Sequence, residues 1–209
     1  MTSRADVIAA LHAADPVLAK VIDEVGTDGP GDLGVTISSD RYGALVRSIV
    51  GQQLSTRSAQ AIYGRLTDRF GGRTPTPVEV LEDDPDELRQ SVGLSHAKLA
   101  YLRSLAEHVL DGSLDLDHLD RLPDEEVIAQ LTAVRGIGPW SADMFLIFRL
   151  GRPDVLPVGD LGIRRAFMIH YGLPELPGDA EMERIAEPWR PHRTLASLYL
   201  WRSLRVSPV

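Results

Sequence analysis

Residues 131–151 read Leu-Thr-Ala-Val-Arg-Gly-Ile-Gly-Pro-Trp-Ser-Ala-Asp-Met-Phe-Leu-Ile-Phe-Arg-Leu-Gly and constrain the fold more than any other stretch. The apolar periodicity that starts near Asp124 predicts a helix ending at about Val134. Gly136 can take the positive φ that stops such a helix. Pro139 suits the first position of a second helix, where its missing N–H would go unpaired in any case. The spacing therefore predicts two helices joined by a four-residue turn that holds Gly136 and Gly138. The amides around Gly138, Trp140 and Ser141 then lie at the positive end of a helix dipole, where a phosphate binds without a lysine. Taken alone, the same Gly-x-Gly also fits a plain helical corner packed in a core.

The remainder of the chain is patterned in the same way. Asp15-Pro16 opens a run with Val17, Leu18, Val21, Ile22 and Val25 at helical spacing, closed by Gly26. Residues 27–39, rich in Gly, Asp and Ser, read as a loop. Periodic runs follow at 41–51, from Ser55 to Phe70, and from Ser95 to Leu110. Thr76-Pro-Val-Glu79 and Asp84-Pro-Asp-Glu87 each place a cap, a proline and a glutamate where a capping box needs them, which predicts two short helices. No run alternates like a strand. The expected fold is all-α, with about ten helices.

The chain has 209 residues, 44% of them hydrophobic and 25% charged, values of a globular protein with a core of its own. Its net charge of −8 argues, as an average, against nucleic acid. The distribution argues otherwise. Residues 41–75 hold six arginines against one acid, whereas 79–87 hold six acids and no base, and 111–126 hold seven acids against Arg121. This segregation suggests one face able to meet phosphates. The absence of cysteine excludes disulfides, thiolate zinc sites, cysteine-ligated iron–sulfur clusters and cysteine nucleophiles. The longest apolar run, Met144 to Phe148, is far too short for a membrane span. With no signal-peptide pattern at the N-terminus, a soluble, cytoplasmic protein is expected.

Five ordered motifs carry a family resemblance. They are Tyr42-Gly-Ala-Leu-Val-Arg-Ser-Ile-Val-Gly-Gln-Gln-Leu-Ser-Thr56, Val92-Gly-Leu-Ser-His-Ala-Lys98, the segment 131–151, Arg149 through the Gly/Pro-rich loop to Asp160 and Phe167, and Trp189 through Trp201. Together they resemble the helix-hairpin-helix (HhH-GPD) DNA glycosylase superfamily, and within it the 3-methyladenine glycosylase II group. The resemblance implies two helical lobes, approximately 36–120 and 121–209 with 1–35, within a single unit over 1–209. It places a hairpin and an active-site cleft between those lobes. It implies a monomer that acts on double-stranded DNA containing alkylated bases, in base excision repair.

Asp160 is the expected catalytic residue. At a helix start it is ordinarily an N-cap, and a helix N-terminus also favours an anion there. An anion close to C1′ stabilises the oxocarbenium-like charge that builds as an N-glycosidic bond breaks. It can also orient or deprotonate the attacking water. Bifunctional members of the superfamily have a lysine at the hairpin position that Trp140 occupies here, so hydrolysis without strand cleavage is expected. By resemblance Trp140, Trp201 and Met144 line the base pocket, where electron-rich rings suit a cationic alkylpurine. Many relatives have an aromatic residue at the Met144 position. Gly136, Gly138 and Ser141 are expected to hold the backbone phosphate. Gln53 and Leu54, with Ser55, match the turn that fills the gap left by the flipped base. The resemblance also implies a monovalent cation, Na+ or K+, on the backbone carbonyls of Thr132, Val134 and Gly136. No other cofactor is expected. The alternatives are a glycosylase for uracil, a mismatched or an oxidised base, and a non-catalytic DNA-binding module that keeps the hairpin.

Overall fold

A computed structural model describes residues 3–26 and 40–206; the loop expected over 27–39 lies outside the described residues. Among the described residues there are twelve α-helices and no strand. The all-α expectation is met, with two helices more than the pattern suggested. Those two, α1 (Arg4–Ala14) and α11 (Asp179–Ala186), have no Pro-capped start of the kind that marked their neighbours. No helix among the described residues is long and apolar enough to cross a membrane.

The chain folds as two compact units, Ser38–Ala142 and Met1–Ile37 with Asp143–Val209. The expected lobes divide at 120/121, whereas these units divide at 142/143, inside the second helix of the hairpin. In the Ser38–Ala142 unit, α3 (Arg41–Gly51), α4 (Thr56–Arg69), α5 (Pro77–Glu82), α6 (Pro85–Val92) and α7 (His96–Leu110) precede α8 (Asp124–Ala133). α7 packs against α3, α5 and α6, and buries Leu99, Leu102, Leu105 and Ala106. Ser95 caps it through Lys98 N–H. Thr76 and Glu79 form the expected capping box at α5. At α6 Asp84 accepts from the Asp86 and Glu87 amides, but the Glu87 carboxylate lies 3.5 Å from Arg69, so the second box is a one-sided cap.

In the other unit, α12 (Arg193–Val206) packs on α2 (Pro16–Val25) and α10 (Leu161–His170) around Leu18, Ile22, Ile163, Phe167, Trp189, Tyr199 and Leu200. Asp15 is the buried polar centre of this core. Its Oδ1 caps α2, while its Oδ2 accepts from Tyr171 Oη at 2.6 Å and Trp189 Nε1 at 2.9 Å. The division between the units falls within α9 (Pro139–Phe148).

Candidate active site

Asp160 is the N-cap of α10, and its Oδ1 accepts from Ile163 N–H at 2.8 Å. The same oxygen accepts from Trp201 Nε1, also at 2.8 Å. Gly162 makes the pairing possible: a Cβ there would lie 3.0 Å from Asp160 Oδ1 and 3.4 Å from the Trp201 ring. The Trp201 indole in turn stacks on Phe148, with centroids 5.9 Å apart and planes at 21°.

The Gly/Pro-rich loop before Asp160 is fastened to the start of α12. Thr194 Oγ1 donates to Arg152 O and accepts from Val155 N–H, and Asp154 pairs with both Arg190 and Arg193. Partial burial opposes ionisation of Asp154, but bonds from Arg193 outweigh it and hold the carboxyl below its usual range. Helix α12 thus anchors the loop at one end and supplies Trp201 two turns further on. Asp160 and Trp201, distant in sequence, are brought into direct contact. Trp189 and Tyr199 are fully buried and belong to the core.

The hairpin has the predicted bounds within a residue: α8 ends at Ala133 and α9 begins at Pro139. Gly136 has φ +89°. A Cβ there would come within 2.3 Å of the Tyr101 ring, so the glycine is required twice over. Arg135 N–H donates to Ser104 Oγ, also on α7. Ile137 fills the core below the turn. Gly138 and Ser141 flank Pro139 and Trp140 at the start of α9, whose first amides have no acceptor within the helix. Trp140 is 46% exposed. Met144, four residues on, shares its helix face and is half-buried.

The turn after α3 is close to the hairpin. Gln52 Nε2 donates to Gly136 O at 2.8 Å. Gln53 has φ +57°, the one non-glycine positive φ among the described residues, and Leu54 is 39% exposed. Ser55 accepts from Ser58 N–H and caps α4.

The arrangement matches a family model, that of the HhH-GPD superfamily base excision DNA repair protein, over residues 46–191. The chain belongs to the HhH-GPD superfamily. It is 36% identical over 168 residues to DNA-3-methyladenine glycosylase 1 of Schizosaccharomyces pombe, covering 79% of this chain and 73% of that protein. The solved S. pombe 3-methyladenine DNA glycosylase Mag1, in complex with abasic DNA, superposes with a TM-score of 0.77 at 32% identity, covering 93% of this chain and 94% of the other. A DNA-3-methyladenine glycosidase from Bacillus halodurans gives a TM-score of 0.82 at 37% identity, with 93% and 87% covered. The expected membership, and with it an enzyme of base excision repair, holds.

One expectation about this HhH-GPD chain needs correcting. The arginine-rich stretch is not a free basic face. Arg69 pairs with Asp83 at 2.6 Å, Arg73 with Glu79 at 2.6 Å and Arg41 with Asp120 at 3.0 Å. Arg65 donates to Val92 O, and Arg47 lies over the Tyr63 ring. The acidic runs and the basic run are segregated in sequence and meet in the fold. Of the six arginines, Arg57 alone has no such partner among the described residues.

Two of the three carbonyls expected around a cation are already engaged. Val134 O accepts from Ile137 N–H and Gly136 O from Gln52 Nε2. A carbonyl has two lone pairs, so each keeps one, and the donor set still fits a hard monovalent ion.

Two residues of this superfamily member escaped the sequence reading. Gln52 stands beside Gln53 and nothing in the pattern separates them. Asp143 is half-buried on α9, three residues after Trp140, and burial pushes its carboxyl up to about 6. Its signal was an acid at the head of the apolar run Met144–Phe148.

Proposed function

We propose that this HhH-GPD protein hydrolyses the N-glycosidic bond of alkylated purines in duplex DNA and leaves an abasic site. The observation that carries the reading is the Asp160 carboxylate held by two donors on one oxygen, one of them an indole N–H. Such a fixed anion need not reorganise as positive charge grows on the sugar, which is where electrostatic stabilisation is most effective. Water is the nucleophile, and Asp160 orients it or takes its proton. The 3-methyladenine glycosylase relatives support the substrate class. A methylated purine carries positive charge and leaves readily, so stacking on Trp140, with Met144 on the same helix face, suffices to hold it; each cation–π contact contributes about 0.5–2 kcal/mol. Gly138 and Ser141 grip the backbone phosphate, and Gln53 and Leu54 fill the vacated stack. A monovalent cation on Thr132, Val134 and Gly136 would stiffen the turn and add positive charge beneath the phosphate.

The lysines support hydrolysis over lyase chemistry. The hairpin position is Trp140, and Lys98 Nζ donates to Val50 O at 2.7 Å. Incubation with duplexes carrying 7-methylguanine, 3-methyladenine, uracil or 8-oxoguanine tests the proposal. Release of methylated purines with an intact strand is expected. Preferential release of uracil or 8-oxoguanine would move the protein to another lesion class. Borohydride trapping of a covalent protein–DNA adduct would overturn the hydrolytic mechanism.

A further inference from the structure

Gln52 ends α3 with its backbone already extended, at ψ 131°, and its side chain crosses to the hairpin. Three attachments converge here, all within the Ser38–Ala142 unit. Gln52 Nε2 holds Gly136 O at 2.8 Å, 84 positions away in sequence. Lys98 Nζ holds Val50 O, so α7 grips the last turn of α3; partial burial lowers the Lys98 pKa and the bond to the carbonyl satisfies its charge. Tyr101 and Ser104, one and two turns further along α7, hold Gly136 and Arg135. The end of α3, the hairpin and α7 thus form a closed triangle. The one non-glycine positive φ among the described residues follows directly on Gln52. Gln53 occupies the left-handed region that side chains other than glycine rarely adopt, and Leu54 beside it is exposed. A strained conformation persists only where its surroundings over-determine it: Leu54 N–H donates back to Gly51 O, and Gln52 ties the loop to the hairpin.

We propose that Gln52 is a positioning residue that couples the loop bearing Gln53 and Leu54 to the phosphate-binding hairpin, so that DNA grip and base extrusion act as one rigid step. The inference rests on reading the chain as a base-flipping glycosylase. Extrusion costs base stacking, and a loop free to relax away from the duplex returns less of that cost. A hairpin that closes on a phosphate would, through Gln52, fix where the loop meets the base stack. Gln52 acts through the hairpin carbonyl that it holds, so its loss should spare a substrate that needs no extrusion.

The test uses Gln52→Met, which keeps length without a donor, and Gln52→Glu, which sets an acceptor against Gly136 O. Single-turnover base release is compared on duplex and single-stranded DNA of one sequence carrying 7-methylguanine. In parallel, 2-aminopurine next to a tetrahydrofuran abasic analogue reports unstacking by fluorescence, with no chemistry required. Both variants should lower the duplex-to-single-strand rate ratio about tenfold, some 1.4 kcal/mol, and reduce the fluorescence rise. An unchanged ratio and fluorescence would overturn the coupling, as would equal losses on both substrates. If the wild type releases no base but its fluorescence rise still depends on Gln52, the glycosylase reading fails and the coupling stands.

Discussion

The indole N–H of Trp201 and the N–H of Ile163 donate to the same oxygen of Asp160, each at 2.8 Å. One bond comes from the helix that Asp160 itself caps, the other from α12, 41 residues further on. Two donors on one oxygen fix the rotation of the carboxylate, and Gly162 leaves the space that this requires. Trp201 was expected as a wall of the base pocket. Its indole N–H also holds the Asp160 carboxylate in place.

Trp201→Phe should separate the two roles, because it keeps a ring to stack on Phe148 and removes the donor. A hydrogen bond to a charged group contributes about 1.5–3 kcal/mol, so single-turnover base release should fall roughly ten- to a hundredfold. Duplex affinity should stay near the wild-type value. An unchanged rate would mean that the cap alone positions Asp160.

Gly136→Ala should destabilise the protein through two independent costs, a positive φ and a clash with the Tyr101 ring. Non-glycine residues pay about 1–2 kcal/mol for a left-handed backbone, and overpacking adds about 1–3 kcal/mol. Adding Tyr101→Ala should recover the steric part and leave the backbone part, read as a partial rescue of Tm. Full rescue would show that the φ constraint matters little, and no rescue that Tyr101 is not the obstacle.

Much of this was legible in the sequence because it depends on local chemistry. The cap at Ser95, the box at Thr76 and Glu79 and the hairpin from Ala133 to Pro139 are each decided within seven residues or fewer. Relations between distant segments were not legible. The arginines of 41–75 read as a face for phosphate, yet Arg69 and Arg73 meet Asp83 and Glu79 from the acidic run that follows. The fold back from the end of α4 to α5 decides this, not composition. Gln52 is the sharper case: it and Gln53 are identical neighbours, and only the fold sends one to Gly136 O and the other into a positive φ.

Asp143 makes stability depend on pH in a way opposite to a paired acid. Its folded pKa, near 6, lies above the ordinary Asp value of about 3.9, because burial disfavours the charged form. Its contribution is therefore complete below about pH 4 and is lost as pH rises through about 6. Asp143→Asn, which stays neutral, should raise Tm at pH 8 and leave it nearly unchanged at pH 3.5. Equal shifts at both pH values would show that the carboxylate is not the source of the cost.

If Asp160 drives hydrolysis of the glycosidic bond, removing its charge alone should stop base release. Asn is also a good N-cap, so Asp160→Asn should fold as the wild type does while lacking the anion. Free base released from methylated duplex DNA, measured for both proteins under single-turnover conditions, is the direct test. A loss of about a hundredfold or more is expected in the variant, on the scale of removing a preorganised electrostatic stabiliser, with unchanged Tm. Equal base release by the two proteins would contradict it.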